Sequence, residues 1–296
     1  MKANGLFLLS LVLSARVVAQ TAEEKINREL TFENSSALNT LMILNVNGSI
    51  AVEGYAGDKI LLEVKKTIRA KTAARLAEGK EEIQLGVMDR ADTMIVYVAG
   101  TCAPFGKLPR RDWHRKYNGW GYQWNSNGGR ECESRYDYRM DFIVKVPASV
   151  HVVAATVNEG DVTVNAVSGT VVADNVNGAI RLTGISGATK AATINGDVNL
   201  DFSGNPSGDS RFYTLNGDIT ANFRKGLAAQ LAFKSFNGEL YSSVDDITAL
   251  PVQLEKTDRG GEGTRFRVNG NRYKIRQGGP LLDFETFNGD VIVREK

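Results

Sequence analysis

The sequence predicts an all-β chain: an elongated, β-solenoid-like stack of short strands joined by Asn-Gly and Ser-Gly turns, with one short helix near residues 71–83. Three observations carry this reading. First, a short phrase recurs: an apolar residue, Asn-Gly, a small or acidic residue, then another apolar one. It reads V-N-G-S-I at Val46–Ile50, V-N-G-A-I at Val176–Ile180, I-N-G-D-V at Ile194–Val198, L-N-G-D-I at Leu215–Ile219, F-N-G-E-L at Phe236–Leu240 and F-N-G-D-V at Phe287–Val291. A looser V-N-E-G-D-V lies at Val157–Val162. Self-similarity of this kind marks a stacked architecture. Second, every second residue between turns is apolar, as in Val162/Val164 and Ile180/Leu182, which is the period of a strand with one buried face. Third, 30 glycines and many β-branched residues favour strands and tight turns over helices.

Lys2, the apolar run Leu6–Leu13 and the small-residue exit at Val17-Val18-Ala19 read as a signal peptide over residues 1–19, and residues 20–296 as a single all-β repeat domain. The run is too short to span a bilayer, which needs about 20 apolar residues. No later stretch has spanning length, so no transmembrane helix is expected after cleavage. Removal of residues 1–19 takes Lys2 and Arg16 from the 36 basic residues and none of the 34 acidic ones, leaving a formally neutral chain. Such a chain lacks the positive field that nucleic-acid binding requires.

Residues 20–40 are polar and read as a leader. Leu44–Gly54 and Lys59–Ile68 follow as strands, with a tight turn at Asn47-Gly48. Lys71–Ile83 breaks the pattern, and its Ala73, Ala74, Leu76 and Ala77 among charged residues favour an amphipathic helix despite Gly79. Strands return at Thr93–Val98 and Met140–Val146. Between them, residues 99–139 form an insertion that holds all three tryptophans and the two cysteines.

Beyond Val152, Asn177, Asn195, Asn216 and Asn237 follow the imperfect Asn158 at steps of 18–21 residues, with Ser168-Gly169, Ser186-Gly187 and Ser203-Gly204 between them. Such text folds either as an antiparallel meander or as a stack of coils about 4.8 Å apart. Because equivalent sequence recurs at every second turn, the stack is favoured: Asn lies on Asn, Gly on Gly and Val on Ile. The corners Asn47-Gly48, Asn177-Gly178, Asn195-Gly196, Asn216-Gly217, Asn237-Gly238 and Asn288-Gly289 then form a line, and their amides bond along it. Positive φ at the corners explains the glycine. Asp245–Gly263 reads as an excursion, and the leader and the final strand as covers for the ends of the stack.

The V-N-G-x-[IV] phrases with intervening V-S-G turns, entered through V-P-A-S-V at Val146–Val150, resemble the bacterial putative-adhesin family, whose all-β repeat domains are described as toastrack-like. The resemblance covers about Asn45–Val293. It implies an exported protein, periplasmic or on the cell surface, and it brings no catalytic residues and no cofactor.

The insertion lies outside that motif and is the best candidate site. In an exported chain Cys102 and Cys132 read as a disulfide, closing a loop of 29 residues that would add about 3–4 kcal/mol of stability. Trp113, Arg115, Tyr117, Trp120, Tyr122 and Trp124 inside it are the candidate ligand-binding residues: rings suit sugar faces, and Arg supplies planar donors. The same aromatics also make sense as a satellite core pinned by the disulfide. The acidic residues after the turns, Asp161, Asp197, Asp218, Glu239 and Asp290, read as solvated turn carboxylates, because the chain has no G-G-x-G-x-D nonapeptide of a Ca²⁺-binding roll. His114 and His151 make no metal-ligand spacing with the cysteines. Asp197 and Asp218 keep a glycosidase reading open, yet no nucleophile elbow, H-E-x-x-H or phosphate loop is present. The sequence thus points to a non-catalytic, adhesin-like scaffold whose partner is a surface glycan or envelope protein. The alternative is a glycan- or cell-wall-binding module, and after that a polysaccharide-acting enzyme.

Overall fold

Strands that bury every second side chain must lay that face on another layer, and this chain does so by sending successive strands to two sheets in turn. The computed structural model describes residues 19–33, 39–100, 135–251, 254–258, 264–268 and 271–296. The opening portion comprises β1 (Gln20–Leu30), β2 (Thr40–Leu44), β3 (Ile50–Tyr55), β4 (Ile60–Ala70), α1 (Ala73–Glu82), β5 (Gln84–Arg90), β6 (Thr93–Ala99) and β7 (Asp137–Pro147). The regular portion runs through β8 (His151–Ala155), β9 (Val162–Asn165), β10 (Val171–Asp174), β11 (Ile180–Ile185), β12 (Thr189–Asn195), β13 (Val198–Phe202), β14 (Ser210–Asn216), β15 (Ile219–Phe223) and β16 (Ala229–Lys234). The closing portion holds β17 (Leu240–Ser242), β18 (Ile247–Ala249), β19 (Leu254–Asp258), β20 (Thr264–Val268), β21 (Asn271–Ile275), β22 (Leu281–Asn288) and β23 (Val291–Glu295). The protein is thus nearly all β, with α1 the one helix among the described residues.

One sheet has the order β1-β4-β7-β3-β9-β11-β13-β15-β23-β17, and the other β18-β21-β16-β22-β14-β12-β10-β8-β2-β6-β5. From β8 to β15 each strand pairs in parallel with the strand two places along the chain. Register places like on like. Val144, Val52, Val164, Leu182, Leu200, Ala221 and Val293 form one buried row across the first sheet. Val96, Ile43, Ala154, Ala173, Ala191, Phe212 and Phe284 form its counterpart in the second. Towards the C-terminal end the filling becomes aromatic: Phe202 stacks on Phe223 at 4.8 Å, and Phe212 lies 4.9 Å from Phe284.

Three expectations are corrected. The Leu44–Gly54 run is two strands in different sheets, because Asn47-Gly48 is a corner between layers and not a hairpin tip. The final copy does not cover an end: β22 lies between β14 and β16, and β23 between β15 and β17. Its inner face explains this, since Leu282, Phe284, Val291 and Val293 are fully buried, as in any interior coil. The end is carried by β17 in the first sheet, and in the second by β21, antiparallel to β16, and by β18, antiparallel to β21. Residues 20–30 are a regular edge strand, β1, antiparallel to β4. Its charges guard that edge against pairing with another chain, and Lys25–Glu63, Lys65–Glu23 and Lys59–Glu29 tie it to the body.

The helix follows the capping rules. The Thr72 hydroxyl accepts from the Arg75 N–H, and the Ile83 N–H donates to the Gly79 carbonyl. Buried Lys66 reaches from β4 to donate to the Lys80 carbonyl at 2.9 Å. Gly79, which weakens the helix locally, is its buried contact with the body. A Cβ there would lie 2.7 Å from the Tyr136 ring and 2.8 Å from Ile68. In an exposed helix Gly→Ala stabilises by about 1 kcal/mol; here the expected sign is reversed, and Gly79→Ala should lower the melting temperature in a thermal scan.

Candidate functional site

Wherever the chain passes from the second sheet to the first through an Asn-Gly pair, the Asn side chains line up. Asn158 donates through Nδ2 to Oδ1 of Asn47 at 3.4 Å, Asn177 to Asn158 at 2.8 Å, and Asn195 to Asn177 at 2.9 Å. Asn216 donates to Asn195, Asn288 to Asn216 and Asn237 to Asn288, each at 2.9 Å. The result is a one-way amide ladder in which the last Asn in sequence, Asn288, is the last but one in space. The looser copy joins because Glu159 takes up its extra residue at φ +61°, which keeps Asn158 and Gly160 in their rows.

Close approach makes the glycine obligatory. A Cβ on Gly178 would lie 2.2 Å from the Gly160 carbonyl oxygen, on Gly196 2.3 Å from that of Gly178, and on Gly289 1.9 Å from that of Gly217. Positive φ, the reason expected from the sequence, applies only to Gly48, Gly217 and Gly289 among these corners, and to none of the Asn residues. Neighbouring backbone, rather than a left-handed turn, is the common cause.

Inside the ladder runs a second polar row that sequence reasoning missed. Two residues before each corner Asn stands a Thr, Asn or Ser: Asn45, Thr156, Asn175, Thr193, Thr214, Ser235 and Thr286. Thr156 Oγ1 donates to the Gly48 carbonyl at 2.8 Å, Thr193 to Gly178 at 2.9 Å and Thr214 to Gly196 at 2.8 Å. Asn175 Nδ2 donates to the Gly160 carbonyl at 3.0 Å. These groups satisfy corner carbonyls that water does not reach. The signal lies in the wider phrase T-x-N-G, which begins one residue to the left of the repeated one.

Outside the ladder two further rows flank it. Before each Asn an apolar side chain faces outward: Val157, Val176, Ile194 and Leu215 half-buried, then Phe287 and Phe236, 44% and 73% exposed. The two Phe rings stack at 4.8 Å with 5° between their planes. After Gly160, Gly196, Gly217 and Gly289 a carboxylate binds the next coil. Asp197 Oδ1 accepts the Asp218 N–H at 3.0 Å, Asp218 that of Asp290 at 2.8 Å, and Asp290 that of Glu239 at 2.9 Å. Asp161 accepts the Ala179 N–H and pairs with Arg181. The acidic residues therefore have a structural duty beyond solvation. No group of three or more His, Cys, Asp or Glu able to hold a metal occurs among the described residues.

Both irregular segments of the chain open on this edge. β6 runs beside β2, with Tyr97 opposite Leu44, and β7 runs beside β3, with Phe142 opposite Ile50. The chain therefore leaves β6 and re-enters β7 on the side of the sheets where Asn47-Gly48 joins β2 to β3, and Met140 and Asp141 lie beside Asn47–Ser49. At the far end β21 begins opposite Phe233, so the β19–β20 hairpin also leaves from the Asn-Gly side. The candidate residues Trp113, Arg115, Tyr117, Trp120, Tyr122 and Trp124, the pair Cys102 and Cys132, and the signal peptide lie outside the described residues. His151 is described: its Nδ1 accepts from the Thr170 N–H at 2.8 Å.

Where the insertion returns, Asp141 holds the first corner. Its Oδ1 accepts from the Ser49 N–H at 2.8 Å and the Ser49 hydroxyl at 2.6 Å, and Arg139 pairs with it at 2.8 Å. Burial raises the carboxyl's pKa, but the bonds from Arg139 and Ser49 outweigh it and hold the group below the usual carboxylate range. Also on β7, burial pushes the Tyr138 hydroxyl up to about 12.

No family model matches the chain, and no curated protein matches it. Among solved structures it is similar to a putative cell adhesion protein from Clostridium sporogenes ATCC 15579, with a TM-score of 0.45 and 10% identity over 94% of this chain and 100% of that one. It is also similar to a putative adhesin from Bacteroides fragilis NCTC 9343, with a TM-score of 0.36 and 12% identity over 92% of this chain and 97% of the other. No helix among the described residues is long and apolar enough to cross a membrane.

Two outcomes follow from the corner chemistry. Thr214→Val, which leaves the Gly196 carbonyl buried without its donor, should cost about 1–3 kcal/mol in urea unfolding, whereas Thr183→Val on an exposed face should stay within about 0.5 kcal/mol. A carboxyl with a lowered folded pKa stabilises the fold above its unfolded pKa, and that contribution is lost as pH falls through the folded value. Asp141→Asn should therefore lower the melting temperature at neutral pH and flatten its decline on the acid side.

Proposed function

We propose that the protein is an exported, non-catalytic scaffold of the adhesin kind, a rigid β-solenoid-like stack that displays binding segments along its Asn-Gly edge. One observation carries this reading: the two longest departures from the repeat, between β6 and β7 and between β18 and β21, both begin and end on that same edge. In stacked repeat proteins insertions gather on the face that binds. The body suits display, since parallel pairing in register, shifted between Thr183 and Ile185, leaves little freedom between coils. The partner on this reading is a surface glycan or an envelope protein, in the periplasm or outside the cell.

The non-catalytic aspect rests on how the carboxylates stand. Glycoside hydrolysis needs two of them facing each other about 5–10 Å apart across the substrate. Asp197, Asp218 and Asp290 lie side by side in one row, each accepting the backbone N–H of the next coil.

The test replaces residues 101–134 with a short Gly-Ser linker and compares capture of the protein by isolated cell-envelope fractions. Capture should fall about tenfold or more, as when a hot-spot cluster is removed, while the melting temperature of the body is kept. Unchanged capture would remove the insertion from the function. Release of reducing sugar from those fractions by the intact protein would overturn the non-catalytic reading.

A further inference from the structure

Four consecutive coils of the edge carry the same three-row inscription. In space they follow the order 194–197, 215–218, 287–290 and 236–239. The outer row is apolar: Ile194, Leu215, Phe287 and Phe236. The middle row is amide: Asn195, Asn216, Asn288 and Asn237, all exposed. The third is carboxylate: Asp197, Asp218, Asp290 and Glu239. Neighbouring coils repeat at the strand spacing of about 4.8 Å.

The hydrogen bonds already made show what the rows still offer. A carboxamide has two N–H donors and two acceptor lone pairs, and an interior ladder Asn spends one of each on its neighbours. One donor and one acceptor therefore point to solvent on every coil. Each Asp gives Oδ1 to the next backbone N–H, which leaves Oδ2 as an acceptor. Among the described residues no basic side chain pairs with Asp197, Asp218, Asp290 or Glu239, in contrast to Asp161 with Arg181; Glu239 Oε2 accepts from the Tyr241 hydroxyl at 3.0 Å, which leaves its Oε1. At the open end Asn237 has no further Asn to receive, and Phe236 presents the face of its ring that Phe287 does not cover.

This set of groups selects its ligand class. Unpaired carboxylates repel polyanions, which sets aside nucleic acids, phosphate polymers and uronic-acid chains. They also repel a second copy of the same edge laid against it. Carboxylate and amide oxygens accept from hydroxyl groups, amide N–H groups donate to them, and apolar faces and rings pack on the C–H faces of sugars. An extended polysaccharide of equatorially linked sugars advances by close to one strand spacing per residue, so successive sugars meet successive coils. We infer that this stretch of the edge binds a neutral, extended polysaccharide, one sugar to a coil, with the last sugar against Phe236. The inference rests on the reading of the Asn-Gly edge as the working face, and it places a second binding region away from the Trp-rich insertion.

The test uses cello- and chito-oligosaccharides of two to six sugars, with β-1,4-linked oligoglucuronate as the anionic control, in calorimetric titration against the full protein. Affinity for the neutral ligands should rise from two to four sugars and then level off, and oligoglucuronate should not bind. Phe236→Ala with Phe287→Ala removes two exposed rings and should weaken the hexamers about tenfold or more without lowering the melting temperature. Asp218→Asn with Asp197→Asn and Asp290→Asn keeps the acceptors for the backbone N–H groups, leaves Glu239 as the one charge of the row, and should admit oligoglucuronate. The variant with residues 101–134 replaced should keep its oligosaccharide affinity. No binding of either neutral hexamer overturns the inference, as does binding that ignores the Phe changes or that disappears with the insertion. If neutral oligosaccharides fail while the envelope capture described above persists, the inference falls and the adhesive function stands. If neutral oligosaccharides bind while replacing the insertion leaves envelope capture unchanged, the inference stands and the insertion-based reading falls.

Discussion

Coils can lie at strand spacing only if nothing projects between their corners, and that single steric condition organises the molecule. At Gly178, Gly196, Gly217 and Gly289 the place a Cβ would take is filled by the carbonyl of the coil beneath. Once the corners close to this distance, parallel hydrogen bonding runs from β7 to β17 in one sheet and from β6 to β16 in the other, and the inner Thr and Asn row meets the corner carbonyls. The Asn amides then reach one another, and the carboxylates reach the next N–H. Each row is a consequence of the approach that glycine permits. A larger residue would not only strain one turn; it would push adjacent layers apart and break four rows together.

Much of this was legible because stacking forces equivalent positions to solve the same problem with the same residue. The recurrence of Asn-Gly at 18–21 residues, with Ser-Gly between, named the corners before any contact was known. Two things were hidden. The Thr/Asn row was visible as T-x-N-G, yet a hydroxyl in a strand reads as an exposed residue until the corner carbonyl above it is seen. The position of the last coil was hidden for a different reason. Residues 287–291 match the repeat as well as any copy, but sequence order says nothing about an insertion between Asn216 and Asn237. Only the complementary faces of Phe212 and Phe284 decide it.

The site was only partly legible. The aromatic and basic text of residues 113–124 announced itself by composition, whereas its departure point, the corner next to Asn47, depends on the pairing of β6 with β2 and β7 with β3. Phe236 and Phe287 read as ordinary apolar members of the phrase, since Val and Ile hold the same place elsewhere. Their exposure follows from position, as this row faces outward and lies at the end where fewer neighbours cover it. The same substitution of Phe for Val that would fill a core here makes a protruding pair of rings.

The interleaving of the C-terminal coil has a consequence for biogenesis. Layers from β8 to β15 can form as the polypeptide emerges, each on the one before. β16 and β17 cannot settle in that way, because their seats are made by β22 and β23, which are synthesised after them. An interior layer is thus supplied from downstream: a polypeptide that stops before residue 281 lacks β22 and β23 and leaves β14 and β15 without a neighbour on that side, with the contact of Phe284 with Phe212 unmade.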